Sequence, residues 1–350
     1  MNDPAPDRSH TIRDFRLTSG AVLPEASVAY VTYGRLAPDG ANAVLVTHGF
    51  TSSHRFTDTH GPSGEGSWGP LVGPGKAIDT DRYFVVSSNM LGSSYGSTCP
   101  RDVDPRTGRA YGPDFPALDV RDIVNAQRKM LEATGVRRLL AVVGPSYGGF
   151  QAFVWGISHP DFVDGIAPII SGLRSPRDPG ADDRLVKRFA AHPNWNGGRY
   201  YENGGIFEAM RDLRVETLLK YGAMEELASA FPDPVARRAE IERRAAKWAH
   251  EFDANSLLAL MRASQAYDAT RDLASIRARV LYVLSRTDKL FPPSLRDEVM
   301  PALERAGVTA DYFEIDSAFG HQASGADWAK WAPVLGAFLE KLWTNRRSQN

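Results

Sequence analysis

The sequence predicts an α/β protein with a mostly parallel central sheet flanked by helices and a helical insertion over one edge. Three observations predict it. Short β-rich runs alternate with helical patterns, the spacing of βαβ units. Several of those runs are apolar almost throughout, as in strands covered on both faces. From about Ser171 to Leu273 the alternation stops and only helical patterns follow.

The elements justify themselves in chain order. The expected strands are "SVAYVTYG", "AVLVTHG", "YFVVSS", "RLLAVVG", "DGIAPII", "RVLYVLS" and "ADYFEID". Between the third and fourth, "DVRDIVNAQRKMLEATG" reads as a helix, with Asp119 as N-cap, Val120, Ile123, Val124, Gln127 and Leu131 at helical spacing, and Gly135 as its stop. After the fourth strand "YGGFQAFVWGISH" is helical. "SGLRSPRDPGADD" is a polar, breaker-rich exit from the fifth. Beyond it "PVARRAEIERRAAKWAHEF" opens on Pro234 after Asp233, a good helix start. Its Arg237, Arg238, Arg243 and Arg244 read as a solvated face laced with Glu240 and Glu242. A last helix runs from about Ala326 to Leu342, with Trp328, Trp331, Leu335, Phe338 and Leu342 on one core-facing stripe. The domain reading is therefore a core of residues 1–170 and 274–350 interrupted by a helical cap at 171–273.

Composition narrows the function classes. The 350 residues are 43% hydrophobic and 24% charged, an ordinary globular balance. A formal net charge of -1 gives no reason to expect nucleic acid or an anionic membrane as partner. The opening "MNDPAPDRSHTIRDF" has no apolar region or cleavage site, so no signal peptide is expected. No apolar run nears the roughly eighteen residues of a membrane span. One cysteine, Cys99, permits no internal disulfide and fits a reducing compartment, so the expected location is cytoplasmic.

The chemistry is concentrated in "LLAVVGPSYGGFQAFVWG", where a buried strand ends in a serine set between glycines. "GPSYG", Gly144 to Gly148, fits G-x-S-x-G between a strand and a helix. That context lifts a side chain above the sheet edge on a sharp, strained turn, and makes Ser146 the expected nucleophile. A serine hydroxyl needs a base and an orienting acid, which in this context follow in the order acid, then histidine. His321 lies in "DSAFGHQASG", just after the last strand, and is the expected base. His159, before Pro160, reads as structural. Asp288, in "RVLYVLSRTDKLFPP", sits at the end of the preceding strand and is the expected acid, ahead of Asp297 and Asp316. The developing oxyanion needs two backbone donors: the amide of Tyr147, after the nucleophile, and that of Phe50 in "VLVTHGF". His48 reads as a brace of that loop.

Two further patterns carry little. "HRFTDTH" (His54, Asp58, His60) matches no strong ligand spacing, so no metal is expected. "GPGKAIDT" resembles a phosphate loop only superficially, because no Ser or Thr follows Lys76. No organic cofactor is expected either.

Along nearly its whole length the chain resembles the homoserine O-acetyltransferase family of the α/β-hydrolase fold, a family that includes carboxylesterases. The resemblance rests on "LVGPGKAIDTDRYFVVSSNMLGSSYGSTCPRDVDPRTGRAYGPDFP", "HPNWNGGRYY", "FDANSLLALMRASQAYD" and "LFPP" with "YFEIDSAFGH". It implies a triad of Ser146, Asp288 and His321, an oxyanion donor at Phe50, a helical cap and a homodimer joined through the cap. It also implies an arginine and a tyrosine on a cap helix that read the charged end of the amino-acid acceptor. Aligned on "GGIFEAMRDLRVETLLKYG", those positions fall on Met210 and Thr217, with Arg211 and Arg214 close by. The elbow departs from Gly-Gly-Ser-Met-Gly-Gly in having Pro145 and Tyr147, and "GHD" is here "GHQ", with Gln322.

With the acceptor clamp absent in that alignment, the expectation is a serine carboxylesterase acting on small short-chain acyl esters such as acetates. The alternative is an acyl-CoA-dependent O-acyltransferase using the same acyl-enzyme. A non-catalytic ligand receptor stands third, and the complete triad argues against it.

Overall fold

The computed structural model describes residues 5–58, 67–176 and 178–348. Eight strands form its main sheet: β1 (Arg8–Arg16), β2 (Val22–Tyr33), β3 (Ala43–Val46), β4 (Phe84–Ser88), β5 (Leu139–Pro145), β6 (Val163–Ile169), β7 (Arg279–Ser285) and β8 (Ala310–Ile315). Their spatial order is β1-β2-β4-β3-β5-β6-β7-β8. The β1–β2 and β2–β4 pairs are antiparallel and the remaining pairs parallel. A parallel sheet sends all its carboxyl ends to one edge, and that edge gathers the candidate chemistry.

The helices are α1 (Val120–Ala133), α2 (Tyr147–Ser158), α3 (Ala181–Ala190), α4 (Phe207–Lys220), α5 (Ala223–Glu226), α6 (Pro234–Glu251), α7 (Ala254–Ala266), α8 (Arg296–Arg305), α9 (Ala323–Ala326) and α10 (Trp328–Arg347). Local sequence sets their starts. Asp119 and Asp122 close a reciprocal capping box on α1, and Asp233 accepts the Ala236 amide at the head of α6. Every residue of β5 is buried, and β3 likewise, because helices cover both faces of the sheet centre. Gly165 lets α10 close on β6: a Cβ there would lie 2.3 Å from Leu342. The same helix end buries Arg346, which pairs with Asp164 and donates to the Leu139 carbonyl at 2.9 Å.

Between β6 and β7 the described residues contain no strand, only an isolated bridge of Arg174 with Asp268. Helices α3 to α7 fill this stretch, and α4, α5 and α6 share a small core of Val215, Leu218, Ala223, Leu227, Ile241 and Ala245. The arginines of α6 are engaged as a solvated face: Arg238 bonds Glu242, while Arg243 and Arg244 both bond Glu240. Among the described residues no helix is long and apolar enough to cross a membrane.

Two expectations differ from the structure. β1 was not foreseen: "RSHTIRDFR" is mostly polar because it is an edge strand, burying only Ile12 and Phe15 from one face. The last helix runs to Arg347, and Trp328 is 37% exposed because it is the first residue of the helix, ahead of the turns that meet the sheet.

Candidate active site

Ser146 stands alone between β5 and α2, with φ 54° and ψ -118°. A non-glycine residue in that region costs roughly 1–3 kcal/mol and persists only where its surroundings over-determine it. Here they do. The Ser146 amide donates to the Ile169 carbonyl at 2.9 Å, and the Ser171 hydroxyl donates to the Ser146 carbonyl at 2.8 Å. Glycine is needed on either side, because a Cβ at Gly144 would lie 2.0 Å from Thr47 Oγ1 and one at Gly148 would lie 2.8 Å from the Thr47 carbonyl oxygen. The elbow therefore packs directly on the first residue after β3.

His321 follows β8 and Asp288 follows β7, so both project from the edge that carries Ser146. His321 Nδ1 lies 2.8 Å from Asp288 Oδ2, with both side chains buried. Asp288 Oδ1 accepts the Leu290 amide at 2.8 Å. Burial pushes the Asp288 carboxyl up, but His321 and the backbone amides of Leu290 and Phe291 outweigh it and hold the group below its ordinary value. A carboxylate so held presents its negative charge to the imidazole.

The loop after β3 comes beside the elbow. The Thr47 hydroxyl donates to the Gly148 carbonyl at 2.9 Å. The rings of Phe50 and Tyr147 stack with centroids 5.8 Å apart and 7° between planes. Phe150 and Phe291 continue this aromatic wall as far as the His321 ring, 5.8 Å from Phe291. Such a wall excludes water and strengthens each polar interaction inside it. His48 is fully buried behind the loop, with Nδ1 2.8 Å from the Gly49 carbonyl oxygen and Nε2 3.0 Å from Asn89 Oδ1. Burial pulls its imidazole down to about 4, so the ring is neutral at ordinary pH.

Helix α4 corrects the alignment made from sequence. Met210 is buried in the main hydrophobic core, and the Thr217 hydroxyl returns to the Leu213 carbonyl at 2.8 Å. The residues that approach the site lie one helical turn further on. Arg214 is 1% exposed, and its Nη1 donates to Thr51 Oγ1 at 2.7 Å, one residue beyond Phe50. Its guanidinium lies 5.0 Å from the centre of the Trp248 ring. Tyr221 places its ring 4.9 Å from that of His321. Arg214 and Tyr221 have the same spacing as Met210 and Thr217, and "RVETLLKY" was the signal that could have identified them. Gln322 is buried next to His321.

The other candidates lie elsewhere. Asp316 is an exposed partner of Arg286, and Asp297 is exposed on α8. His159 packs on Trp155 at the end of α2. His54 bonds Asp7 at 2.7 Å, Asp58 bonds Arg55 at 2.7 Å, and His60 lies outside the described residues. Lys76 donates to the Gly69 carbonyl at 2.8 Å rather than facing a ligand loop. Among the described residues no group of three or more His, Cys, Asp or Glu could hold a metal ion.

The sequence and fold have close counterparts. The alpha/beta hydrolase fold family profile matches residues 42–321. A homoserine O-acetyltransferase of Symbiobacterium thermophilum is 36% identical, over 93% of this chain and 92% of that one. One of Moorella thermoacetica is also 36% identical, over 93% of each. A crystallised esterase is 26% identical with a TM-score of 0.84, over 96% of this chain and 100% of that one. The curated transferases overturn the carboxylesterase expectation, since they match at higher identity over nearly the whole length. Its physical premise fails as well: an absent cation at Met210 argued for hydrolysis, and Arg214 puts a buried guanidinium beside the Phe50 loop.

Proposed function

The chain belongs to the homoserine O-acetyltransferase family of the α/β-hydrolase fold, and from that premise we propose that it moves an acetyl group from acetyl-coenzyme A to the hydroxyl of homoserine. The observation that carries this reading is Arg214, a buried cation bonded to the loop that holds Phe50. The family resemblance gives a cap arginine the charged end of the acceptor, and a guanidinium's parallel N–H donors match a carboxylate in geometry. Homoserine supplies a carboxylate at the distance of a short chain from its hydroxyl. Water supplies neither, so acceptor binding at Arg214 would favour transfer over hydrolysis.

Ser146 Oγ attacks the thioester carbonyl while His321 Nε2 takes its proton. Asp288 holds the Nδ1–H tautomer of His321 and stabilises the imidazolium. The oxyanion is met by the backbone N–H groups of Phe50 and Tyr147. Collapse expels the coenzyme A thiolate, which takes the proton from His321. The homoserine hydroxyl then gives its proton to His321 and attacks the acetyl-serine. O-acetylhomoserine leaves and Ser146 regains its proton.

The same proposal includes a cytoplasmic homodimer joined through the α3–α7 segment, as the family resemblance implies, and light scattering of the purified chain checks the dimer. Activity is tested with acetyl-coenzyme A in the presence and absence of homoserine, with products followed by mass spectrometry. The expected result is O-acetylhomoserine forming faster than free acetate. Acetate as the main product with homoserine present would overturn the proposal.

A further inference from the structure

Trp155, Gln127 and Gln151 are fully buried and lie in one line of hydrogen bonds that ends at the nucleophile elbow. Trp155 Nε1, on α2, donates to Gln127 Oε1, on α1, at 2.9 Å. Gln127 Nε2 donates to Gln151 Oε1 at 2.7 Å and, as a side branch, to the Ser88 hydroxyl at the end of β4 at 3.1 Å. Gln151 Nε2 then faces two backbone carbonyls, that of His48 at 3.4 Å and that of Tyr147 at 3.5 Å. The first belongs to the loop after β3 that runs on to Phe50, and the second to the first residue of α2.

The direction of this line is fixed at its far end. An indole nitrogen can only donate, so Gln127 must turn its oxygen to Trp155 and its NH2 to Gln151. Gln151 must then turn its oxygen to Gln127 and its own NH2 to His48 and Tyr147. A reversed Gln151 amide would set its oxygen against two carbonyl oxygens and its NH2 against that of Gln127, leaving buried groups unpaired at a cost. The two backbone segments joined in this way are the ones that carry the expected oxyanion donors. They meet without a gap, since a Cβ at Gly148 would lie 3.1 Å from the His48 carbonyl oxygen. Donors stabilise an oxyanion only when they stand about 3 Å from the place where its charge develops, so a small shift of one segment against the other is felt in the rate.

We propose that Gln151 is a positioning residue of the oxyanion hole, whose amide holds the loop that carries Phe50 against the helix start that carries the Tyr147 amide. The inference rests on the acyl-enzyme chemistry proposed above. It goes further, because it assigns the spacing of the two donors to a side chain with no exposed surface.

The test compares wild type with Gln151→Met, Gln127→Leu and Ser88→Ala, each checked for folding by thermal melting. Methionine keeps the length of Gln151 and removes its NH2. Leucine at position 127 leaves that NH2 in place but frees the amide to turn. Alanine at position 88 cuts only the side branch. The readouts are kcat and KM for O-acetylhomoserine formation, the pH profile of kcat, and the inhibition constant of trifluoroacetone. That ketone takes up Ser146 Oγ at its carbonyl carbon. The serine proton passes to His321 and the carbonyl oxygen becomes an oxyanion, so the ketone's affinity reads the oxyanion donors.

Gln151→Met is expected to lower kcat at least about tenfold, short of the roughly hundredfold or more of losing a donor outright. KM for both substrates should stay within about twofold, since the contact acts only as charge develops. The inhibition constant should rise by the same factor as kcat falls, and the pH profile should keep its midpoint because the triad is intact. Gln127→Leu should follow the same pattern at equal or smaller size, and it carries the test if Gln151→Met does not fold. Ser88→Ala should stay near wild type. A folded Gln151→Met or Gln127→Leu with wild-type kcat and ketone affinity overturns the proposal. So does a loss of kcat with ketone binding unchanged, or an equal loss in Ser88→Ala. A wild-type enzyme that binds the ketone but acetylates no homoserine would remove the acyltransferase reading and leave the ketone comparison to decide the role of Gln151, so the two failures are distinguishable.

Discussion

The ring of Tyr221, at the end of α4, lies 4.9 Å from the ring of His321, tilted 49° to it. The helical insertion therefore rests on the candidate base as well as on the loop beside the nucleophile. Phe291 packs on the same imidazole, which leaves the ring little freedom except along its bond to Asp288.

Removing the tyrosine ring tests what that contact does. A Tyr221→Ala variant should lose about a hundredfold in turnover, the scale of a misplacement of roughly 1 Å in a catalytic group. Both half-reactions should slow together, because one histidine serves both. Stopped-flow release of coenzyme A and steady-state product formation measure the two; slowing confined to the acceptor step would mean that Tyr221 reads substrate rather than placing the base.

Arg214→Met has a different expected signature. Methionine fills much of the volume and removes the charge, so under the proposed transfer the acceptor would lose its ionic partner while the triad is untouched. The homoserine KM should rise by about a hundredfold, a loss in the range of a buried charge-assisted bond. Acyl-enzyme formation should continue. Met210→Leu and Thr217→Val should leave both quantities near wild type, since neither side chain faces the site. A silent Arg214→Met would remove the clamp.

These residues also mark where the sequence is legible. The elbow is a local feature: a buried strand, Gly144, Ser146 and Gly148 in five residues, and the positive φ follows from them. The parallel sheet is legible because its strands are apolar on both faces, and a parallel sheet commits Phe50, Ser146, Asp288 and His321 to one edge. The register of α4 is not legible in this way. Its apolar and charged residues are not sorted onto separate faces, and a buried arginine interrupts the core stripe, so positions one turn apart look alike until packing distinguishes them. Edge strand β1 is hidden for a related reason, having too few buried positions to show its period.

The acid assignment predicts a contrast between two aspartates. Asp288→Asn should lower turnover by about four orders of magnitude, because the amide favours the wrong imidazole tautomer. Asp316→Asn should do nothing measurable, since the Asp316 side chain is 82% exposed and pairs with Arg286 at the surface. Ser146→Ala should cost about a millionfold with the fold intact. Initial rates with each purified variant decide this, and near-normal turnover in Asp288→Asn would transfer the role of acid elsewhere.

The pH dependence of stability has a sign that the buried histidines set. Burial lowers the imidazoles of His48 and His159 from 6.5 to about 4, and lowers that of His54 as well. Above pH 6.5 these rings are neutral in the folded and unfolded chains alike and contribute nothing to the difference. As pH falls below that value the unfolded chain takes up protons that the folded chain refuses, so stability declines until the folded His48 and His159 rings titrate near 4. His48 and His159 should each remove on the order of 2 kcal/mol by about pH 5, since a pH unit is about 1.4 kcal/mol per proton. Asp288 acts in the same direction, but only below the ordinary carboxylate value of 3.8, outside this window. His159 is the position to test: it lies away from the site, packs on Trp155, and has its Nε2 buried without a hydrogen-bond partner among the described residues. Phenylalanine there keeps the ring contact and cannot titrate. Urea unfolding of wild type and His159→Phe at about pH 7, about pH 5.5 and about pH 4.5 should give curves that diverge, the variant losing less stability on acidification by up to one proton's worth of slope. Parallel curves would show that His159 takes up its proton equally in both states, and the burial argument would fail for that ring.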